Sequence, residues 1–142
     1  MSSFGSHGHA RADRALALLR ILAAVLVFVH GLARVMGDGV LPFGTFLTGA
    51  GLPMGLAIAW AVTVIELAAS PLLALGLRRM VAPICLLLAA IYLCGIWLVH
   101  WPAGWFVVGP GRNGMEYSAL LIACLLANAW RWWPDFSHRR KR

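Results

Sequence analysis

Charge is what this sequence has least of. Only 12% of its 142 residues are Asp, Glu, Lys or Arg, while 61% are hydrophobic. A soluble domain is nearer a quarter charged and half apolar. A solvated surface cannot be assembled from so few charges, so composition points to a protein embedded in lipid. The acids are scarcest of all: five, against twelve Lys plus Arg. The resulting net charge of +7 does not imply nucleic acid, because the basic residues flank apolar runs and form no stripe. Cysteine is also sparse. Cys85, Cys94 and Cys124 make an odd count with no CxxC spacing. A disulfide-relay chemistry is thereby excluded, and the three are expected to be small buried hydrophobes. Repeats, a P-loop pattern after GPGRNG, and metal-ligand spacings such as HExxH are all missing.

What is present is four long apolar runs, at about 15–36, 53–76, 80–100 and 114–133. A bilayer core of about 30 Å needs about 20 helical residues. Backbone polar groups in lipid must be paired within the segment, so these runs are expected to be helices. The expected fold is an all-α integral membrane four-helix bundle. Residues 1–14 read as a disordered polar tail, 43–51 as a short helix along the interface, and 134–142 as a basic tail. The first run is too long for a signal peptide's apolar region and lacks a clear cleavage site, so it reads as a retained span. Pro71 is expected to kink the second run, and Pro53 to sit in its first turn.

The basic residues divide between the two sides of such a bundle. Arg11, Arg14, Arg20, Arg78, Arg79, Arg131, Arg139, Arg140, Lys141 and Arg142 fall on one side, and Arg34 and Arg112 on the other. This asymmetry puts both termini in the cytoplasm and the loops 37–52 and 101–113 outside. Trp130, Trp132 and Trp133 would anchor the inner interface, and Trp101 and Trp105 the outer one.

Ionisable residues at membrane depth are costly and are functional candidates by default. At 1.5 Å per residue, His30, Arg34, His100, Glu116 and Tyr117 reach a similar outer level, with Glu66 deeper. Arg20, Val27 and Arg34 are seven apart, and His30 is four before Arg34, so one face of the first helix carries a polar seam. Each candidate also has a plainer reading. Glu66 could be a protonated acid bonded to a neighbouring helix, or a charged site residue. His100 could sit wet at the interface, Arg34 could snorkel to headgroups, and Glu116 could complement a helix dipole. The stretch 100–118, HWPAGWFVVGPGRNGMEYS, is expected to fold over the mouth of the bundle as a lid.

Four pieces in order carry a family resemblance: RILAAVLVFVHGLARV with Arg20, His30 and Gly31; FLTGAGLP at 46–53; VIELAASPLLALGLRR at 64–79 with Glu66; and HWPAGWFVVGPGRNGMEYSALLI with Glu116 and Tyr117. The sequence resembles the DoxX family of small four-helix bacterial membrane proteins over roughly residues 16–130. The resemblance implies a multi-pass protein of the bacterial plasma membrane associated with membrane redox chemistry. The usual Lys near the end of the first helix is Arg34 here, which keeps the charge but removes a proton-shuttling amine. Asn is common where Ala103 stands.

The leading expectation is a subunit of a quinone-linked or oxidative-stress redox system. Its outer pocket, built from His30, Arg34, Glu66, His100, Glu116 and Tyr117, would take a quinone headgroup or another small polar molecule. No metal is expected, and the cofactor is otherwise open. Partners would be the lipid bilayer, redox subunits or further copies of the chain, and not nucleic acid. The alternatives are a non-catalytic scaffold that holds partner subunits and, behind it, a small-solute transporter.

Overall fold

A computed structural model describes residues 3–109 and 112–133. Five α-helices account for most of them: α1 (Ser3–Met36), α2 (Val40–Gly49), α3 (Gly55–Leu75), α4 (Arg78–Gly95) and α5 (Glu116–Arg131). Between α4 and α5 a π-helical turn, Ile96–His100, extends α4 before an irregular loop. Its wider winding is marked by the Trp101 N–H bonding the Ile96 carbonyl at 2.7 Å. There is no strand among the described residues.

The four long helices close a ring. α1 packs on α3 and α5, and α4 packs on α5 and α3, while α2 lies against α3. Three helical stretches are long and apolar enough to cross a bilayer: Gly8–Met36, Gly55–Leu75 and Arg78–His100. At 16 residues α5 is shorter than a full span, although the apolar run around it suggested 114–133. The reason is at its ends. Met115 precedes it as part of a bonded loop, and Trp132 and Trp133 finish it in a turn.

The first helix runs further back than expected. The segment taken for an irregular tail continues α1 from Ser3. Its Ala and Arg residues favour helix, and Asp13 accepts a bidentate pair of bonds from Arg131 at 2.7 and 2.9 Å. That pair also places the start of α1 beside the end of α5. The expected basic tail at 134–142 lies outside the described residues.

The bundle is inside-out by soluble standards. The α1 face toward α3 and α5 carries Arg20, Ala23, Ala24, Val27 and Gly31, all buried, while Leu22, Val25, Val29 and Leu32 are exposed. Small residues inward and bulky aliphatics outward suit helices that meet in lipid. A Cβ on Gly31 would stand 3.2 Å from the Glu66 Cβ, so a larger residue there would have to push α3 back by a few tenths of an ångström. Of the three cysteines only Cys85 is buried; Cys124 is half-buried and Cys94 exposed. The expectation for the cysteines thus holds for one of three, because Cys94 lies where α4 leaves the core.

The prolines behave differently from one another. Pro71 stays within α3, and the Ser70 hydroxyl donates to the Glu66 carbonyl at 2.6 Å beside it. Pro53 lies in the turn before α3, outside the first helical turn, because Met54 caps the helix in a left-handed conformation at φ 58°.

Candidate functional site

The site is built on one face of α3. Thr63 and Glu66 are three apart, so both project toward α1, where Arg34 sits in the last turn. The Arg34 guanidinium donates through one nitrogen to the Glu66 carboxylate at 2.7 Å and to the Thr63 hydroxyl at 3.0 Å. Thr63 passes its own proton back to the Ala59 carbonyl at 2.7 Å. The guanidinium also lies over the Phe43 ring of α2, 4.8 Å from its centroid. Arg34 is thus held from three sides and turned inward, with 12% of its side chain exposed; Glu66 keeps 2%. The snorkelling reading of Arg34 does not describe this geometry.

Above the pair opens a cavity of about 660 Å³. Its walls come from α1, α2, α3, α4, the π-helical turn, the loop after it and the start of α5. Leu47, Leu52, Ile58, Leu87 and Leu98 make most of it apolar. Polar groups gather at one region: His30, Arg34, Glu66, Tyr92, His100 and Tyr117. The His30 and Tyr92 rings approach with centroids 6.4 Å apart. A mostly apolar hollow with a few convergent polar groups has the make-up of a small-molecule site.

Five of the six expected residues therefore share one cavity. Glu116 does not line it. Its carboxylate instead accepts the Val107 N–H at 3.0 Å, and its own N–H bonds the Trp105 carbonyl at 3.0 Å. Depth alone could not separate it from Tyr117, its neighbour in sequence; the direction of the side chain did. His100 lines the cavity, and its Nδ1 lies 2.7 Å from the Asn113 carbonyl oxygen. The loop between them is cross-tied by Asn113 N–H to Val107 O at 3.3 Å, Gly114 N–H to Phe106 O at 3.1 Å and Met115 N–H to Gly104 O at 3.0 Å. Val107, Asn113 and Gly114 of this loop line the cavity, so the loop covers one end of it; Pro110 and Gly111 lie outside the described residues.

Arg20 belongs elsewhere. It is 8% exposed and packs its guanidinium against Gly76, the left-handed cap of α3. A cation there complements the carbonyl end of the helix. Three residues of the site were missed by sequence reasoning. Thr63 carried a signal, its spacing from Glu66. Tyr92 carried one too, as a polar-tipped aromatic eight before His100. Phe43 carried none, since nothing in sequence turns α2 toward Arg34. Among the described residues no group of three or more His, Cys, Asp or Glu is placed to hold a metal.

A family model described as DoxX matches residues 15–101. The match runs from residue 15, within α1, to just past the π-helical turn and includes His30, Arg34, Glu66, Tyr92 and His100. The loop after Trp101 and α5, where the sequence resemblance also ran, lie beyond it. No curated protein and no solved structure matches the chain.

Proposed function

This chain belongs to the DoxX family, and from that premise we propose that it is a subunit of a membrane redox system whose cavity binds a quinone headgroup. The observation that carries this reading is the Arg34–Glu66 pair, buried at the polar region of an otherwise apolar cavity. A buried pair is costly to desolvate and is not needed to join helices that small residues already join. Set beside free donors it becomes useful. His30 and the Tyr117 hydroxyl can donate to a carbonyl oxygen, and Glu66, with Tyr92 within reach, can take or pass a proton. Glu116 is committed to its loop, which leaves Glu66 as the relay.

In this reading the protein lies in the bacterial plasma membrane with both termini cytoplasmic. The end of the bundle that carries Arg14, Arg78, Arg79 and Arg131 would face inward, and the cavity would lie in the outer half.

The test has two arms. Purified protein should bind a benzoquinone saturably, and a deletion strain should be rescued by the wild-type gene but not by Glu66→Gln or His30→Ala. No saturable binding, together with full rescue by both variants, would sink the proposal. It would then favour a scaffold that holds partner subunits without a ligand.

A further inference from the structure

We infer that the cavity is filled sideways from the lipid phase, through a gap between α3 and α4, by a neutral amphiphile: an uncharged hydrogen-bonding head on an apolar tail. This rests on the reading of the cavity as a binding site and adds the ligand's charge, its shape and its route.

The gap follows from where α4 stops being buried. Its buried residues all lie between Val81 and Ala89. From Ala90 to the end of the π-helical turn at His100 none is buried. α3, by contrast, is buried along its whole length, from Gly55 to Leu73, against α1 and α2 as well as α4. The two helices meet near the turn that joins them, and the π-helical turn returns to α2 and α3 through Leu98, which packs with Val40, Leu47 and Ala59; the stretch between, from Ala90 to Gly95, carries no buried residue. Between these contacts the cavity is lined on α3 by Ile58 and Val62 and on α4 by Leu87, Ala90 and Cys94. Each set recurs at helical spacing as a single stripe. Leu87, Ala90 and Cys94 line the cavity and are themselves exposed. They form the rim of a window, and within a membrane-spanning segment a window opens on acyl chains.

The end toward the loop is tied by hydrogen bonds. Asn113 and Gly114, which roof the cavity there, are fixed by the His100 contact at 2.7 Å and the Gly114–Phe106 bond at 3.1 Å. Val107 is fixed by Glu116 at 3.0 Å.

The charge of the occupant follows from Arg34, which already has Glu66 at 2.7 Å. An anionic head would have to displace a carboxylate from its guanidinium, and a cationic head would displace the guanidinium from its carboxylate. A head without charge can use His30 and Tyr117 and leave the pair intact.

The test uses the full chain in lipid nanodiscs with two photoreactive benzoquinones, one carrying a decyl tail and one without it. Ala90→Trp narrows the window from an exposed position; Ala90→Leu does so by less, and circular dichroism with size-exclusion chromatography checks the fold of both. Saturable crosslinking is mapped by mass spectrometry. The tailed probe is expected to mark the α3 and α4 rim. Overpacking at the rim should weaken its labelling about tenfold in Ala90→Trp and less in Ala90→Leu, and weaken labelling by the slimmer tail-less probe by clearly less. Excess decanoate should compete poorly with the neutral tailed quinone. Unchanged tailed labelling in Ala90→Trp, equal loss of both probes, or equal competition by decanoate overturns the inference while leaving the binding site standing. Absence of saturable labelling by either probe removes the binding site and this inference together.

Discussion

Arg34 shows how one residue can be legible in kind but not in direction. Sequence put a cation at the outer end of a polar seam; the partner that turned it inward, Glu66, is 32 residues away. Removing one member of a buried pair leaves the other charge without compensation. Glu66→Gln is therefore expected to lower stability by about 3 kcal/mol, and the double variant Glu66→Leu/Arg34→Met to recover most of that loss. Thermal or denaturant midpoints in detergent would measure both, and a double variant no better than the single one would contradict the pairing. Glu116 offers the opposite case. If its carboxylate serves only to hold the Val107 N–H, Glu116→Gln keeps the acceptor and should behave as wild type. Glu116→Ala loses it, at about 1 kcal/mol. Hydrogen exchange at Val107 should then quicken about fivefold in the alanine variant alone. A proton-relay role would instead make the glutamine variant fail in rescue. The six candidates were found by depth, and five share the cavity. The sixth escaped because rise per residue says nothing about azimuth at the first turn of a helix.

Elements were easier to read than residues, and the errors lie at their ends. The four apolar runs all became helices, since lipid leaves the backbone little alternative. Hydropathy marks where a helix can be in lipid; it does not mark where hydrogen bonding stops. So α1 continues from Ser3 through polar residues, and α5 is cut to 16 by the loop before it and the turn after it. The least legible element was α2. Its existence followed from mixed polarity at 43–51, but its seat against α3 depends on two glycines. A Cβ on Gly44 would come within 2.7 Å of the Leu56 Cα, and one on Gly55 would overlap the Gly44 carbonyl and the Thr48 side chain. Gly55→Ala is expected to cost about 1–3 kcal/mol by overpacking. Because α2 also carries Phe43 and Leu47 to the cavity, affinity for the proposed quinone ligand should fall with it. Unaltered unfolding midpoint and affinity in Gly55→Ala would mean that α2 is free to move off α3.

For the whole molecule, the Asp13–Arg131 pair and the Arg20–Gly76 packing bring the start of α1, the end of α3 and the end of α5 to one end of the bundle. Both chain ends should then label from the same side of the membrane. In the proposed orientation that side is the cytoplasmic one. Single cysteines at Ser6 and Ser137, in a variant lacking the native three, should react with a membrane-impermeant maleimide only after the cells are opened. Reaction of either in intact cells would refute the orientation. Charge counting proposes a side for this end without any contact information, because positive-inside bias is a property of loops and not of packing. The shape of the cavity was beyond such counting, and one of its causes is the turn Ile96–His100. A π turn holds more residues than an α turn, so it is equivalent to a regular helix with a residue inserted. In a helix of 3.6 residues per turn, removing one residue swings everything beyond it by about 100°. Deleting Trp97, whose ring is exposed, would shorten the helix by a single position and restore an ordinary winding. Leu98 and His100 would then be swung off the cavity wall, and the loop would lose its anchor at Asn113, with every other side chain in the chain unaltered. The extra residue works as a phase adjustment: it sets the angle at which the second half of the site meets the first.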